Sequence, residues 1–135
     1  MAGTPSRASP FVDALTFASA WAEAWNKRDL DAVLDNFAED CLFFSPKSQA
    51  FGLEPPIRGK EALRAYWVKA LAAHRSDLKF EVEMALLDEK SRAITIIYES
   101  HHGHDRVRAV EIMHFDSSGL VSRSEALYGV VVWPE

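Results

Sequence analysis

The residue in this sequence best placed to do chemistry is Glu111. Ala109, Met113 and Phe115 share its strand face, because successive side chains of a strand point to opposite sides. An ionised carboxylate is almost never buried without a partner, since taking the charge out of water is costly. A carboxyl at this position therefore implies a pocket in which it is protonated or hydrogen-bonded, and Met113 is expected to share that pocket. His101-His102-Gly103-His104-Asp105 offers metal-type ligands, but its aspartate falls one residue short of a His-x-His-x-Asp spacing. The run also sits at a strand-to-strand turn, where side chains diverge, so a solvated turn and no metal are expected. No Gly-rich phosphate loop or nucleotide fingerprint is present, and no cofactor is expected.

Composition narrows the function classes. Of the 135 residues 48% are hydrophobic and 26% charged, the balance of a folded water-facing chain with one core. The net charge is −5 and the basic residues are scattered, which disfavours nucleic acid as a partner. Cys41 has no second cysteine to pair with, so nothing calls for an oxidising compartment. The stretch from Phe11 to Ala20 superficially resembles a signal peptide. Asp13 interrupts it, however, and the apolar stripe continues to Trp21 and Trp25, so a helix of a cytoplasmic protein is expected. No stretch suits a membrane span.

The elements that must position Glu111 follow from periodicity. Met1 to Pro10 reads as a disordered arm, and 11–135 as one domain. Ala14, Phe17, Ala18, Trp21 and Trp25 predict a helix over Val12 to Lys27; Asp29 then caps a short helix with the stripe Leu30, Val33, Leu34 and Phe37. Cys41 to Phe44 is a short strand stopped by Ser45-Pro46, and Lys47 to Arg58 is a loop. Gly59 opens a third helix. After it the period becomes two, and four strands are predicted over Leu78 to Leu87, Arg92 to His101, Val107 to Phe115 and Leu120 to Val132. The class is α+β, with helices packed into the concave side of an antiparallel sheet. Both strand faces carry apolar residues: Ile94, Ile96 and Tyr98 on one, Thr95 and Ile97 on the other. The second face needs a cover, and a homodimer through the sheet is the economical one.

The hairpin Asp116-Ser117-Ser118-Gly119 sets which residues face Glu111. A regular hairpin puts Ser124 across from it and turns Glu125 away. A bulge at Gly119 would instead bring Glu125 inside and place two carboxyls in the pocket.

Taken in order, Ala24-Trp25-Asn26-Lys27-Arg28-Asp29-Leu30-Asp31, Phe37-Ala38-Glu39-Asp40, Ser45-Pro46, Gly59-Lys60-Glu61-Ala62-Leu63 and Phe115-Asp116-Ser117-Ser118-Gly119-Leu120 resemble the nuclear transport factor 2-like superfamily. The nearest branch is the SnoaL-like and ketosteroid-isomerase-like one. The resemblance runs from about Phe11 to Gly129 and implies a cone, a strongly bent sheet around three helices with a pocket at one end. Carried over residue by residue, it puts Ser45 where ketosteroid isomerases hold a basic aspartate and Trp21 where they hold a donor tyrosine. Glu111 takes the place of their protonated aspartate donor, an acid kept neutral by an apolar site. A serine hydroxyl cannot take a carbon-bound proton without a base beside it, so steroid isomerisation is disfavoured. Tyr66 and Tyr128 fall at aromatic wall positions, and Trp67 beside a residue that supports the donor network.

These residues together describe a pocket walled by Trp21, Trp25, Tyr66, Tyr98 and Tyr128, with Glu111 near its floor and Ser124 as a small polar neighbour. It suits a hydrophobic, oxygen-bearing small molecule. Two readings stay open: cofactor-free isomerase, cyclase or lyase chemistry with Glu111 as acid, Trp21 as second donor and Ser45 as orienting group, or a ligand-binding or dimerisation module without catalysis.

Overall fold

Asp13, the residue that breaks the N-terminal apolar run, is a helix cap. Its carboxylate accepts from the Thr16 N–H at 3.1 Å and so satisfies a first-turn donor that has no helical partner. Helix α1 (Ala14–Asn26) then buries Ala18, Trp21, Ala22 and Trp25. The structure, a computed structural model, describes residues 13–74 and 77–131. The expected arm over Met1 to Pro10, and Phe11, Val12 and Val132, lie outside the described residues. Asp29 caps α2 (Leu30–Leu34) as expected, accepting from the Ala32 N–H at 3.1 Å.

Strand β1 (Phe37–Phe44) starts four residues earlier than the apolar run at Cys41 predicts, and takes Phe37 from the expected helix stripe. The reason is distant in sequence. Asn36 accepts from the Val121 N–H at 2.7 Å and Phe37 pairs with Val121, so the last strand of the chain recruits this segment in parallel. After Ser45, a short 3₁₀ turn (Pro46–Phe51) closes at Gly52, whose φ of 76° lies in the left-handed region. Within the expected loop, β2 (Ile57–Arg58) pairs antiparallel with β1. Helix α3 (Lys60–His74) follows Gly59.

The four predicted strands are all present, as β3 (Leu78–Asp88), β4 (Ala93–His102), β5 (Asp105–Phe115) and β6 (Val121–Val131). They complete a curved sheet of order β2-β1-β6-β5-β4-β3, antiparallel except between β1 and β6. The α+β class is as expected. No described helix is long and apolar enough to cross a membrane.

Register irregularities decide what faces inward. In β3, Val82 pairs with Tyr98 but Met84 pairs with Ile97, so Glu83 is an extra residue that reverses strand parity. Phe80 and Val82 face the core before the bulge; Ala85 and Leu87 do so after it. Met84 is thereby turned outward. It begins a row across four strands, Met84–Ile97–Val110–Leu127, on the convex face.

Strand β3 is a sheet edge, and α1 covers part of it through polar contacts. Asn26 donates to the Phe80 carbonyl at 2.9 Å and accepts from the Phe80 N–H at 2.7 Å. Arg28 donates to the Leu78 carbonyl at 2.7 Å and to the Trp25 carbonyl at 3.1 Å. Edge peptide groups that would otherwise seek a foreign strand are thus used internally. Replacing Asn26 with Ala strands both Phe80 peptide groups, and we expect a loss of about 2 kcal/mol in unfolding free energy by urea titration. A loss under about 0.5 kcal/mol would show that solvent replaces these bonds.

Candidate functional site

All three tyrosines of the chain converge on one cavity. Tyr66 arrives on α3, Tyr98 on β4 and Tyr128 on β6, and each points its ring into a space of about 80 Å³ that Glu111 on β5 also reaches. That is room for several water molecules, so the aromatic side chains do not close the interior completely.

Helix α1 supplies Trp21 and Trp25, four residues apart and both buried. Trp21 stacks on Phe80 with centroids 5.3 Å apart and meets Tyr98 edge-on at 5.1 Å. Trp25 meets Trp67 edge-on at 4.9 Å, and Trp67 in turn packs on Phe43 at 5.3 Å. Rings so interlocked have few rotamers open to them, which gives the wall a fixed shape.

Glu111 is 5% exposed. Among the described residues its one hydrogen-bond partner is Ser124, whose hydroxyl donates to Oε2 at 2.5 Å. Burial raises its pKa from 4.5 to about 7, and the Ser124 hydrogen bond, which favours the ionised form, opposes part of that rise. The carboxyl is therefore poised between acid and carboxylate near neutral pH. Ser124 does not stand across from it, as a regular hairpin requires: Glu111 pairs with Ala126, and Ser124 with Met113. The turn over Asp116 to Leu120 displaces the register by one residue, and a bulge at Ser122 displaces it by a second. Two single shifts restore parity, so Ser124 reaches Glu111 diagonally. Glu125 pairs with Ile112 and lies outside the cavity lining, so among the described residues Glu111 is the one carboxyl that lines the cavity.

Ser45 is buried and lines the cavity while capping the 3₁₀ turn, its Oγ accepting from the Lys47 N–H at 3.2 Å. Burial pushes the Tyr66 and Tyr128 phenols up, and the nearby Ser45 hydroxyl opposes that rise in both. Tyr98 is held well above the usual phenol range, first by burial and then by Glu111. All three are thus neutral hydrogen-bond donors at any physiological pH.

Of the residues expected here, Trp21, Trp25, Ser45, Tyr66, Tyr98, Glu111 and Tyr128 line the cavity. Met113 and Ser124, also expected here, are fully buried and lie outside the lining, Ser124 reaching the cavity through its hydrogen bond to Glu111. Lys47, Ser100 and His102 line it unanticipated. For Ser100 and His102 the signal was available, because period two carries the inward face of Ile94, Ile96 and Tyr98 on to both. The Ser100 hydroxyl and the His102 Nε2 are 2.9 Å apart. Nothing in the loop sequence marks Lys47.

His101 faces the other way. Its Nε2 lies 3.5 Å from Glu81 and 3.4 Å from Glu99, without hydrogen-bond geometry to either. These three place possible metal-ligating atoms within 4.8 Å of one another, outside the cavity. Arg106 already holds Glu99, with Nε 3.2 Å from Oε1, and Glu81 is largely exposed. Arg106 and Glu99 form an ion pair, and His101 Nε2 has no hydrogen-bond partner among the described residues.

The SnoaL-like domain family matches residues 18–124. The chain belongs to that family. A SnoaL-like protein of unknown function from Burkholderia thailandensis is 33% identical over 87% of this chain and 95% of that one, with a TM-score of 0.76. An NTF2-like protein of unknown function from Burkholderia pseudomallei shares the fold at 16% identity over 85% and 89% of the two chains, with a TM-score of 0.69. A computationally designed 17-OHP binder does so at 20% identity over 92% and 94%, with a TM-score of 0.66. No functionally curated protein matches the chain. The SnoaL-like and NTF2-like resemblance read from the sequence is borne out, and with it the fold.

A raised carboxyl pKa has a thermodynamic signature. Between pH 4.5 and about 7 the folded chain holds the Glu111 proton that the unfolded chain has released, so stability falls as pH rises through that window and levels off above it. The change is on the order of 3 kcal/mol. Glu111→Gln carries no such proton. Measured by urea unfolding at pH 5 and pH 8, the variant should gain stability relative to wild type at the higher pH. A pH-independent difference would mean that the carboxyl titrates as it does in water.

Proposed function

We propose that this SnoaL-like protein binds a hydrophobic, oxygen-bearing small molecule and carries out cofactor-free proton transfer on it, of the isomerase, cyclase or lyase type. The observation that carries the reading is Glu111, a buried carboxyl with a pKa of about 7 on the floor of an aromatic cavity. A group that titrates near the working pH is efficient both as acid and as base. In its neutral form Glu111 donates to a carbonyl or hydroxyl oxygen, and the Tyr98 phenol and the Trp21 indole supply further donors on the same cavity wall. Ser45 orients the bound molecule. A proton taken from carbon needs an acceptor that Ser45 cannot be, and the cavity offers two, ionised Glu111 and the His102 imidazole. A designed protein of this fold binds 17-OHP, which supports the ligand class.

The test is native mass spectrometry of the protein purified from its own host, followed by assay of whatever compound it retains. At pH 7, Glu111→Gln should lower turnover by roughly 100-fold or more. Turnover at the wild-type rate would remove Glu111 as the acid. A compound retained but unchanged by the wild-type protein would favour the second reading, a binding module without catalysis. The tight Trp25–Trp67 packing and the modest cavity volume supply that reading with its support.

We infer as well that a second copy of the chain covers the convex sheet face. The row Met84–Ile97–Val110–Leu127 is apolar on every strand it crosses, and its two end members are exposed. Such a contiguous patch marks an association surface. Sedimentation equilibrium should return twice the chain mass, and Leu127→Glu should return one chain mass with unchanged circular dichroism. A wild-type monomer at tens of micromolar would end the dimer proposal.

A further inference from the structure

Lys47 is the one lysine or arginine that lines the cavity among the described residues. Its ammonium sits 4.0 Å from the centroid of the Tyr128 ring, on the strand row next to that of Glu111. The residue is half-buried, and burial holds its pKa below the usual lysine range with no neighbouring charge contributing. No carboxylate of the described residues lies within ion-pair distance of it.

The backbone beneath Lys47 is tied down on several sides. Its N–H donates to Ser45 Oγ at 3.2 Å, and the Ser48 hydroxyl bonds the Ser45 carbonyl at 3.0 Å and the Leu53 carbonyl at 2.8 Å. Gly52 N–H closes the turn on Gln49 at 3.0 Å. This is a fixed turn presenting a cation to an aromatic cavity, rather than a lysine on a loose loop.

Such a cation is incompletely satisfied. The Tyr128 face attracts it, but a ring quadrupole is a weaker partner for an ammonium's N–H donors than an anion's oxygens. Charges drawn out of water are paired in folded proteins, and among the described residues none supplies Lys47 with a counter-charge. The Glu111 carboxyl, in its neutral form, does not repel an anion brought into the same space.

Building on the cavity reading above, we propose that Lys47 is an anion anchor and that the ligand is a small apolar carboxylate, its carboxylate on Lys47 and a separate carbonyl or hydroxyl oxygen on Glu111. A lysine that merely lays its stem along apolar surface would show no preference for charge.

The test is calorimetric titration with 4-hydroxycinnamate and with its uncharged analogue 4-hydroxycinnamamide at pH 7. Wild type should bind the carboxylate at least tenfold more tightly than the amide. In Lys47→Met, and independently in Lys47→Gln, that ratio should fall to within twofold, with circular dichroism confirming that each variant is folded. Equal affinity for the two compounds in wild type, or a preference that survives both substitutions, overturns the anchor while leaving the cavity reading intact. Failure of both compounds to bind wild type counts against the anchor and the cavity reading together.

Discussion

A carboxyl held out of water by its own sheet, with one serine to steady it, is the interaction on which the rest of this site depends. Desolvation pushes Glu111 towards its neutral form and the Ser124 hydroxyl pulls it back, and the balance falls near neutral pH. Stronger hydrogen bonding would have made it a structural carboxylate, fixed and charged. Without that hydrogen bond its pKa would rise further and the neutral form would prevail at neutral pH. The surrounding phenols inherit the consequence, since burial and the nearby carboxyl both keep them protonated. The cavity is accordingly a set of donors converging on one group able to give or take a proton.

That arrangement exists only because of register. A strand has a period of two, so any single insertion exchanges its two faces. The turn between β5 and β6 and the bulge at Ser122 each shift the register by one residue, and together they restore parity: Ser124 stays inside and Glu125 outside. Strand β3 carries one, at Glu83, which does not cancel. It turns Met84 onto the convex face while Ala85 and Leu87 take over the core side, and so contributes to the apolar row there. The same device preserves the site in one hairpin and turns Met84 outward in another.

The aromatic wall decides between filling and enclosing. Trp25, Trp67 and Phe43 pack edge against face and behave as core. The tyrosines stand among them but carry hydroxyls that need partners, and those hydroxyls gather where Ser45 and Glu111 lie. A cavity persists because polar tips cannot interdigitate as hydrocarbon does. Family membership accounts for the cone but not for its contents, since one fold supports unrelated chemistries.

Periodicity and punctuation in the sequence were enough for the three helices, the four long strands and the inward placement of Glu111, because these rest on local patterns of apolar spacing, caps and turn residues; the family came from the resemblance of the ordered motifs. Most of the cavity wall was legible too, Trp21, Tyr66 and Tyr128 through the family resemblance and Trp25 through its helical spacing from Trp21. The early start of β1, the strand at Ile57, the offset of Ser124 and the exclusion of Met113 from the lining were not. The first two are set by pairing with other segments, Phe37 with Val121 and Phe43 with Ile57, and the third by the turn and the bulge at Ser122; a strand's neighbour is not written in its own residues. Lys47 belongs to this second group most plainly: a lysine after a proline reads as surface, and only folding sets it over Tyr128. What the residues determined alone was which side chains avoid water; which of them meet was decided by the closure of the sheet.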